Sequence, residues 1–257
     1  MKRILTLLAA AWLFAGCGLL TAINWDGERI ASATGKAVTA MAISDEQIVE
    51  LCRQSVAQLD QQNTIDNGAY ITRLRRLMSK VGKVGDMTLN YKVYRTEEVN
   101  AFASGDGSVR VYSGLMDLMT DDELVAVIGH EIGHVVHQDS KNALKKAYMA
   151  SAASDLVGAA GSVGAVTQAV AGNIGQALVN AQFSQKQEYK ADEFGFEFAV
   201  AQGYNPYGMY NSLMKLTQLA ESSQASSVAQ MFSSHPDNLK RAERMKVKAE
   251  NYLKKQQ

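Results

Sequence analysis

Proline is almost missing from this chain, with Pro206 and Pro236 its only two, so little interrupts a helix over most of its length. Cysteine is equally scarce, at Cys17 and Cys52. If Cys17 is consumed by modification, Cys52 has no partner in the chain and a structural disulfide is excluded. A net field is missing too. The 26 lysines and arginines balance 26 aspartates and glutamates, which removes the one-signed potential that draws proteins to nucleic acid, so no nucleic-acid partner is expected. Long apolar runs are absent as well. Ile4–Ala15 is too short to span a bilayer, and the uncharged stretch between Asp155 and Lys186 is broken by glycines and amides that make it too polar for a membrane helix. That stretch reads instead as a small-residue helical pair near the site.

What is present is enough for one sizeable domain: 257 residues, 47% of them hydrophobic, in the range of ordinary globular proteins. Three regions are expected. Residues 1–17 have a basic start, Lys2-Arg3, and an apolar run that matches the roughly 7–15-residue core of a secretory signal. Phe14-Ala15-Gly16-Cys17 then resembles a bacterial lipobox, with Phe14 where leucine is usual, and makes Cys17 the expected lipidation site and membrane anchor. Gly18 after that cysteine implies the outer membrane, facing the periplasm. Residues 18–43 are small and polar without periodicity, as in a tether. Residues 44–257 would form the folded domain.

Within it, Ser44 followed by Gln47 predicts a capped helix over Ser44–Leu59, and Leu74, Leu77, Met78 and Val81 predict another over Ile71–Val84. Arg73, Arg75, Arg76 and Lys80 would form its solvated face. Thr88–Tyr94 alternates with period two, and Val109–Tyr112 follows the turn Gly105-Asp106-Gly107, so a small antiparallel sheet is expected. Thr120, with Glu123 three residues on, opens a central helix running to about His137. A further helix from about Gln185 to Gln202 would stop at Gly203, ahead of Pro206. The fold class is therefore α+β and mostly helical, with the sheet beside the central helix.

All four histidines are His130, His134, His137 and His235. His130-Glu131-Ile132-Gly133-His134 is an HExxH motif. Residues four apart share one helix face, so both imidazoles can hold one Zn2+ per chain while Glu131 reaches a metal-bound water as general base. Open coordination for water requires a third protein ligand. His137 fails as a metzincin-type ligand, because that pattern needs glycine at 137 and histidine at Ser140. Glu188-Tyr189-Lys190-Ala191-Asp192 fits better: Glu188 can bind the metal while Asp192, on the same face, hydrogen-bonds a ligand histidine.

The chain resembles the gluzincin zinc peptidases that include HtpX, the CAAX prenyl endopeptidases, the mitochondrial Oma peptidase and small bacterial periplasmic lipoprotein peptidases. The resemblance rests on Asn100-Ala101-Phe102-Ala103, Val127–His134, Glu188–Asp192, and Ser234-His235-Pro236 with Arg241. It is nearest to the small lipoprotein members, since the long transmembrane helices of HtpX and the prenyl endopeptidases are lacking. The resemblance implies His130, His134 and Glu188 as zinc ligands, Glu131 as base and Asp192 as support. It makes Asn100, Ala101, Phe102 and Ala103 an edge strand that binds substrate as an added strand, and His235 a donor to the oxyanion. It implies an endopeptidase acting on unfolded or misassembled envelope proteins, with envelope assembly partners. The alternative is an assembly factor or chaperone that keeps the zinc fold to hold clients.

Overall fold

The computed structural model of the chain describes residues 44–147, 174–222, 225–236 and 238–256. Ser44–Leu144 and Ile174–Gln257 form the compact unit that carries the site. The signal segment, Cys17, the tether and most of the Asp155–Lys186 stretch lie outside the described residues. Among the described residues no helix is long and apolar enough to cross a membrane.

Helix α1, Asp45–Gln62, begins as expected. The Ser44 side chain accepts from the Gln47 N–H while the Gln47 side chain accepts from the Ser44 N–H, which satisfies two of the donors left free at a helix start. Its apolar stripe, Ile48, Cys52, Val56 and Leu59, is buried. Helix α2, Ala69–Leu77, is shorter than the periodicity predicts. Gly82 and the left-handed Gly85 (φ 59°) turn the chain instead into a ribbon of β1, Lys83–Val84, and β2, Met87–Thr88, because local turn chemistry overrides the apolar spacing there. Arg73 also leaves its expected solvated face. Its guanidinium bonds the Met119 carbonyl at 2.8 Å and Asp121 at 2.8 Å.

The expected strand after Met87 is interrupted at Leu89, and β3 is Asn90–Tyr94. β4, Ala101–Ala103, and β5, Ser108–Tyr112, form an antiparallel pair, whereas the two strands expected to be antiparallel, β3 and β5, are parallel. β3 joins the other side of β5 in parallel, with Asn90 opposite Ser108 and Tyr94 opposite Tyr112. The sheet is therefore mixed, with order β3-β5-β4, and β4 is an edge. Arg110 on β5 is only 2% exposed. It forks onto Asp60 of α1 at 2.8 and 3.0 Å, and Lys92 and the Tyr94 hydroxyl reach the same carboxylate.

After α3, Ser113–Leu118, helix α4, Asp121–Val136, carries the capping box of Thr120 and Glu123 that the sequence predicts. A new helix starts at residue 139. There follow α5, Ile174–Val179; α6, Gln185–Ala201; α7, Gly208–Ala220; α8, Ala225–Ser234; and α9, Asn238–Lys254. α6 ends near the predicted stop, with Gly203 at φ 86°.

The most extensive contact between elements is that of α4 with α6. Their backbones meet because the facing positions lack side chains. A Cβ on Gly195 would fall 2.6 Å from the Ala126 carbonyl and 2.8 Å from the His130 nitrogen, and one on Gly129 would fall 3.0 Å from the Gly195 Cα. Neither backbone can yield locally, so such an atom must push the helices apart.

Gly195→Ala is expected to lower stability by about 1–3 kcal/mol through overpacking and to weaken metal retention, as read by denaturant unfolding and bound-metal analysis. Unchanged values for both would refute the close-crossing account. Asp60→Asn is expected to cost about 3–5 kcal/mol at pH 7, because it leaves the buried Arg110 short of its counter-charge. Burial raises the Asp60 carboxyl, but its bonds to Arg110, Lys92 and Tyr94 outweigh that and hold it below the usual carboxylate range. The stabilisation from Asp60 is therefore present above about pH 4 and is lost as pH falls through the lowered value. Unfolding midpoints of wild type and variant should converge only in acid.

Candidate metal centre

Helix α4 places His130, Glu131 and His134 on its buried side, and all three are nearly inaccessible. The two Nε2 atoms stand 3.1 Å apart. Glu188, in the first turn of α6, puts Oε1 3.3 Å from the His134 Nε2 and Oε2 3.6 Å from the His130 Nε2. His235, one residue past α8, brings Nδ1 to 3.2 Å from the His130 Nε2 and 3.1 Å from the Glu188 Oε1. One donor atom from each of these four residues lies within 4.8 Å of the others. Ligands about 2.0–2.1 Å from a tetrahedral zinc stand roughly 3.3 Å from one another. The spacing of the His130 Nε2, the His134 Nε2 and the Glu188 carboxylate fits such an ion.

The outward nitrogens are tied. His130 Nδ1 lies 2.9 Å from Asp192 Oδ1, and His134 Nδ1 lies 3.0 Å from Asp139 Oδ2. With the proton held at Nδ1 by a carboxylate, each ring offers Nε2 to the centre. Arg241 lies beneath, 2% exposed. It forks onto Asp192 at 2.6 and 2.8 Å and reaches Glu188 Oε2 at 2.6 Å, supplying the positive charge that two buried carboxylates need.

Burial and the neighbouring charges compete in the proton equilibria. It lowers His130 to about 4, which keeps that ring neutral, and it pushes the Glu131 carboxyl up to about 7. Burial acts to raise Glu188 and Asp192 as well, but His235 and His134 beside the first, and Arg241 beside the second, outweigh it and hold both well below the ordinary range. His134 is raised: burial lowers it, and the carboxylates of Asp139 and Glu188 on either side prevail. Glu131 Oε1 has no hydrogen-bond partner among the described residues. Its nearest ring nitrogen is His235 Nε2 at 3.6 Å. A buried carboxylate oxygen without a partner is a feature to be accounted for, and here it faces the converged donors.

The structure thus brings together His130, Glu131, His134, Glu188, Asp192 and His235. His137 stays outside, half-buried and edge-on to Phe194 at 6.2 Å. Asn100 is buried, and Ala101–Ala103 form the edge strand β4 beside α4.

Three neighbours of the centre escaped the sequence reading. Arg241 was only part of a motif. The signal for its role is its position on the buried stripe of α9 with Ala242, Met245 and Ala249, where an arginine implies a buried counter-charge. Phe183 lies flat on His134 at 3.8 Å. Asp139 reaches His134 only because Gln138 adopts φ 61°. Neither of the last two has a sequence signal.

The family model described as "Peptidase family M48" matches residues 67–249. The metalloprotease LoiP of Escherichia coli K12 is 37% identical over 250 residues, covering 96% of each chain. The metalloprotease YcaL of the same organism is 32% identical, over 95% of this chain and 96% of that one. A protease HtpX homolog of Thermococcus kodakarensis is 28% identical over 65% of this chain and 70% of its own. Motif, donor geometry and these likenesses agree that the chain belongs to peptidase family M48 and is a metallopeptidase.

Proposed function

We propose that the protein is a zinc endopeptidase that hydrolyses peptide bonds in unfolded or misassembled cell-envelope proteins. The observation that carries the catalytic part is the buried Glu131 carboxyl, whose Oε1 has no hydrogen-bond partner among the described residues, set against the four converged donors. His130, His134 and Glu188 would hold the ion. When bound, zinc supplies Lewis-acid polarisation and lowers the pKa of water toward 7. The rest is the work of the chain. Glu131 takes the proton from the attacking water and passes it to the leaving amine. His235, poised 3.6 Å from Glu131 Oε1, donates an N–H to the developing oxyanion. Asp192 and Arg241 fix the His130 ring and balance Glu188.

The edge of β4 suits an extended substrate. Tyr112 N–H donates to the Asn100 carbonyl and Ser104 N–H to the Ser108 carbonyl, so by the period-two alternation Ala101 and Ala103 turn their backbone groups away from β5. Ala101 N–H is taken by the Asn100 side chain at 2.9 Å, and Ala103 C=O accepts from Ser140 Oγ at 3.4 Å. A substrate strand added there would exchange those side-chain bonds for ladder bonds and be held by its main chain, with little demand on its sequence. The envelope substrates, the lipid anchor at Cys17 and the outer-membrane location rest on the N-terminal residues and on the small lipoprotein peptidases that the chain resembles.

With Zn2+-loaded protein and an unfolded model substrate, Glu131→Gln is expected to lower the cleavage rate about 10²–10⁴-fold while still binding one zinc per chain. A chelator should abolish wild-type cleavage, and added Zn2+ should restore it. Persistence of full cleavage in the variant, or indifference to chelation, would contradict the mechanism. Retention of client handling by the inactive variant would instead favour the assembly-factor reading.

A further inference from the structure

We infer that Asp139 and Gln187 form a positioning brace that orients His134 and fixes where the ligand-bearing helix α6 begins. The inference rests on the metal reading of the centre. α4 ends at Val136, and Gln138, with φ 61°, turns the chain back, so that the buried Asp139 faces the underside of His134. Each Asp139 oxygen has one task. Oδ2 takes the Nδ1–H of His134 at 3.0 Å, and Oδ1 accepts from Gln187 Nε2 at 2.6 Å. The carbonyl end of the same Gln187 amide accepts from the Ser184 N–H at 2.9 Å and from its hydroxyl at 2.7 Å. Ser184 is the N-cap of α6, and Glu188 is the residue after Gln187. The chain Ser184–Gln187–Asp139–His134 therefore links the start of one ligand helix to the ring at the end of the other.

The two ligand histidines are held differently. His130 is anchored by Asp192, which shares α6 with Glu188 and is clamped by Arg241. His134 depends on a residue of neither ligand helix, and among the described residues the partner of Asp139 on the far side is the neutral Gln187 amide. A carboxylate that accepts from a ligand imidazole fixes its tautomer and ring plane and raises its basicity. Asp139 thus supports metal affinity, and Gln187 keeps Asp139 and the α6 N-terminus in register.

The test is Zn2+ affinity of the full chain, measured by competition with a chromophoric chelator, alongside thermal melting of the metal-free proteins. Asp139→Ala is expected to weaken Zn2+ binding 10–100-fold, the range seen when such supporting partners are removed. Asp139→Asn, which keeps an acceptor oxygen but loses the charge, should lose less, and Gln187→Ala should also weaken binding. Wild-type affinity in folded Asp139→Ala, with only the metal-free melting temperature lowered, would make the residue merely structural and overturn the inference while leaving the metal site intact. If Asp139→Ala fails to fold, Asp139→Asn decides, and wild-type affinity in it overturns the inference. Absence of stoichiometric zinc in the wild type would overturn both readings together.

Discussion

The contact between α4 and α6 at Gly129, Gly133 and Gly195 sets everything else in the site. Donors on two separate helices can meet within 4.8 Å only if the helix backbones come close, and side chains at the crossing would hold them apart. A Cβ on Gly133 would likewise lie 3.1 Å from the Phe194 Cβ and 3.2 Å from the Ala191 Cα. The motif reads Gly129-His130 and Gly133-His134, so each histidine of the motif follows a position that carries no side chain and so admits α6. Spacing and steric clearance are thus written into the same turn of helix.

Closeness creates an electrostatic problem, and the remainder of the centre answers it. Glu131, Glu188, Asp192 and Asp139 are all buried, and buried carboxylates are tolerated only when paired. Arg241 serves two of them, His134 and His130 serve Asp139 and Asp192, and only the Glu131 Oε1 is left without a hydrogen-bond partner among the described residues. Ser104 Oγ, His137 Nδ1 and Asn238 Nδ2 are buried without partners among the described residues as well, but among these four carboxyls polar satisfaction fails only at the group that the proposed chemistry needs free for water and substrate. Elsewhere in the unit, Arg110 and Asp60 use the same pairing simply to pin α1 to the sheet.

Local signals in the sequence were sufficient for local structure. Ser44 with Gln47 and Thr120 with Glu123 located two helix starts, and both capping boxes form. HExxH and Glu188-x-x-x-Asp192 name side chains that the fold brings together, because a helix fixes which residues share a face. Local signals failed where distant segments decide. The apolar spacing beyond Leu77 continued past the true end of α2, since the glycine turn at Gly85 won. The parallel pairing of β3 with β5 depends on a partner eighteen residues on and has no mark in period-two alternation. Arg73, read as solvated, finds Asp121 across the fold. His235 joins the donor cluster over a separation of more than one hundred residues, and Asp139 arrives through one left-handed residue that no propensity rule would place there.

The central claim is that His130, His134 and Glu188 converge to bind one zinc ion whose remaining position serves the reaction. The most direct measurement is anomalous diffraction at the zinc absorption edge from crystals of the zinc-loaded protein. A single strong peak bonded to the Nε2 atoms of His130 and His134 and to the Glu188 carboxylate is the predicted result. A peak elsewhere, one completed by His137, or no peak at this cluster would contradict the account.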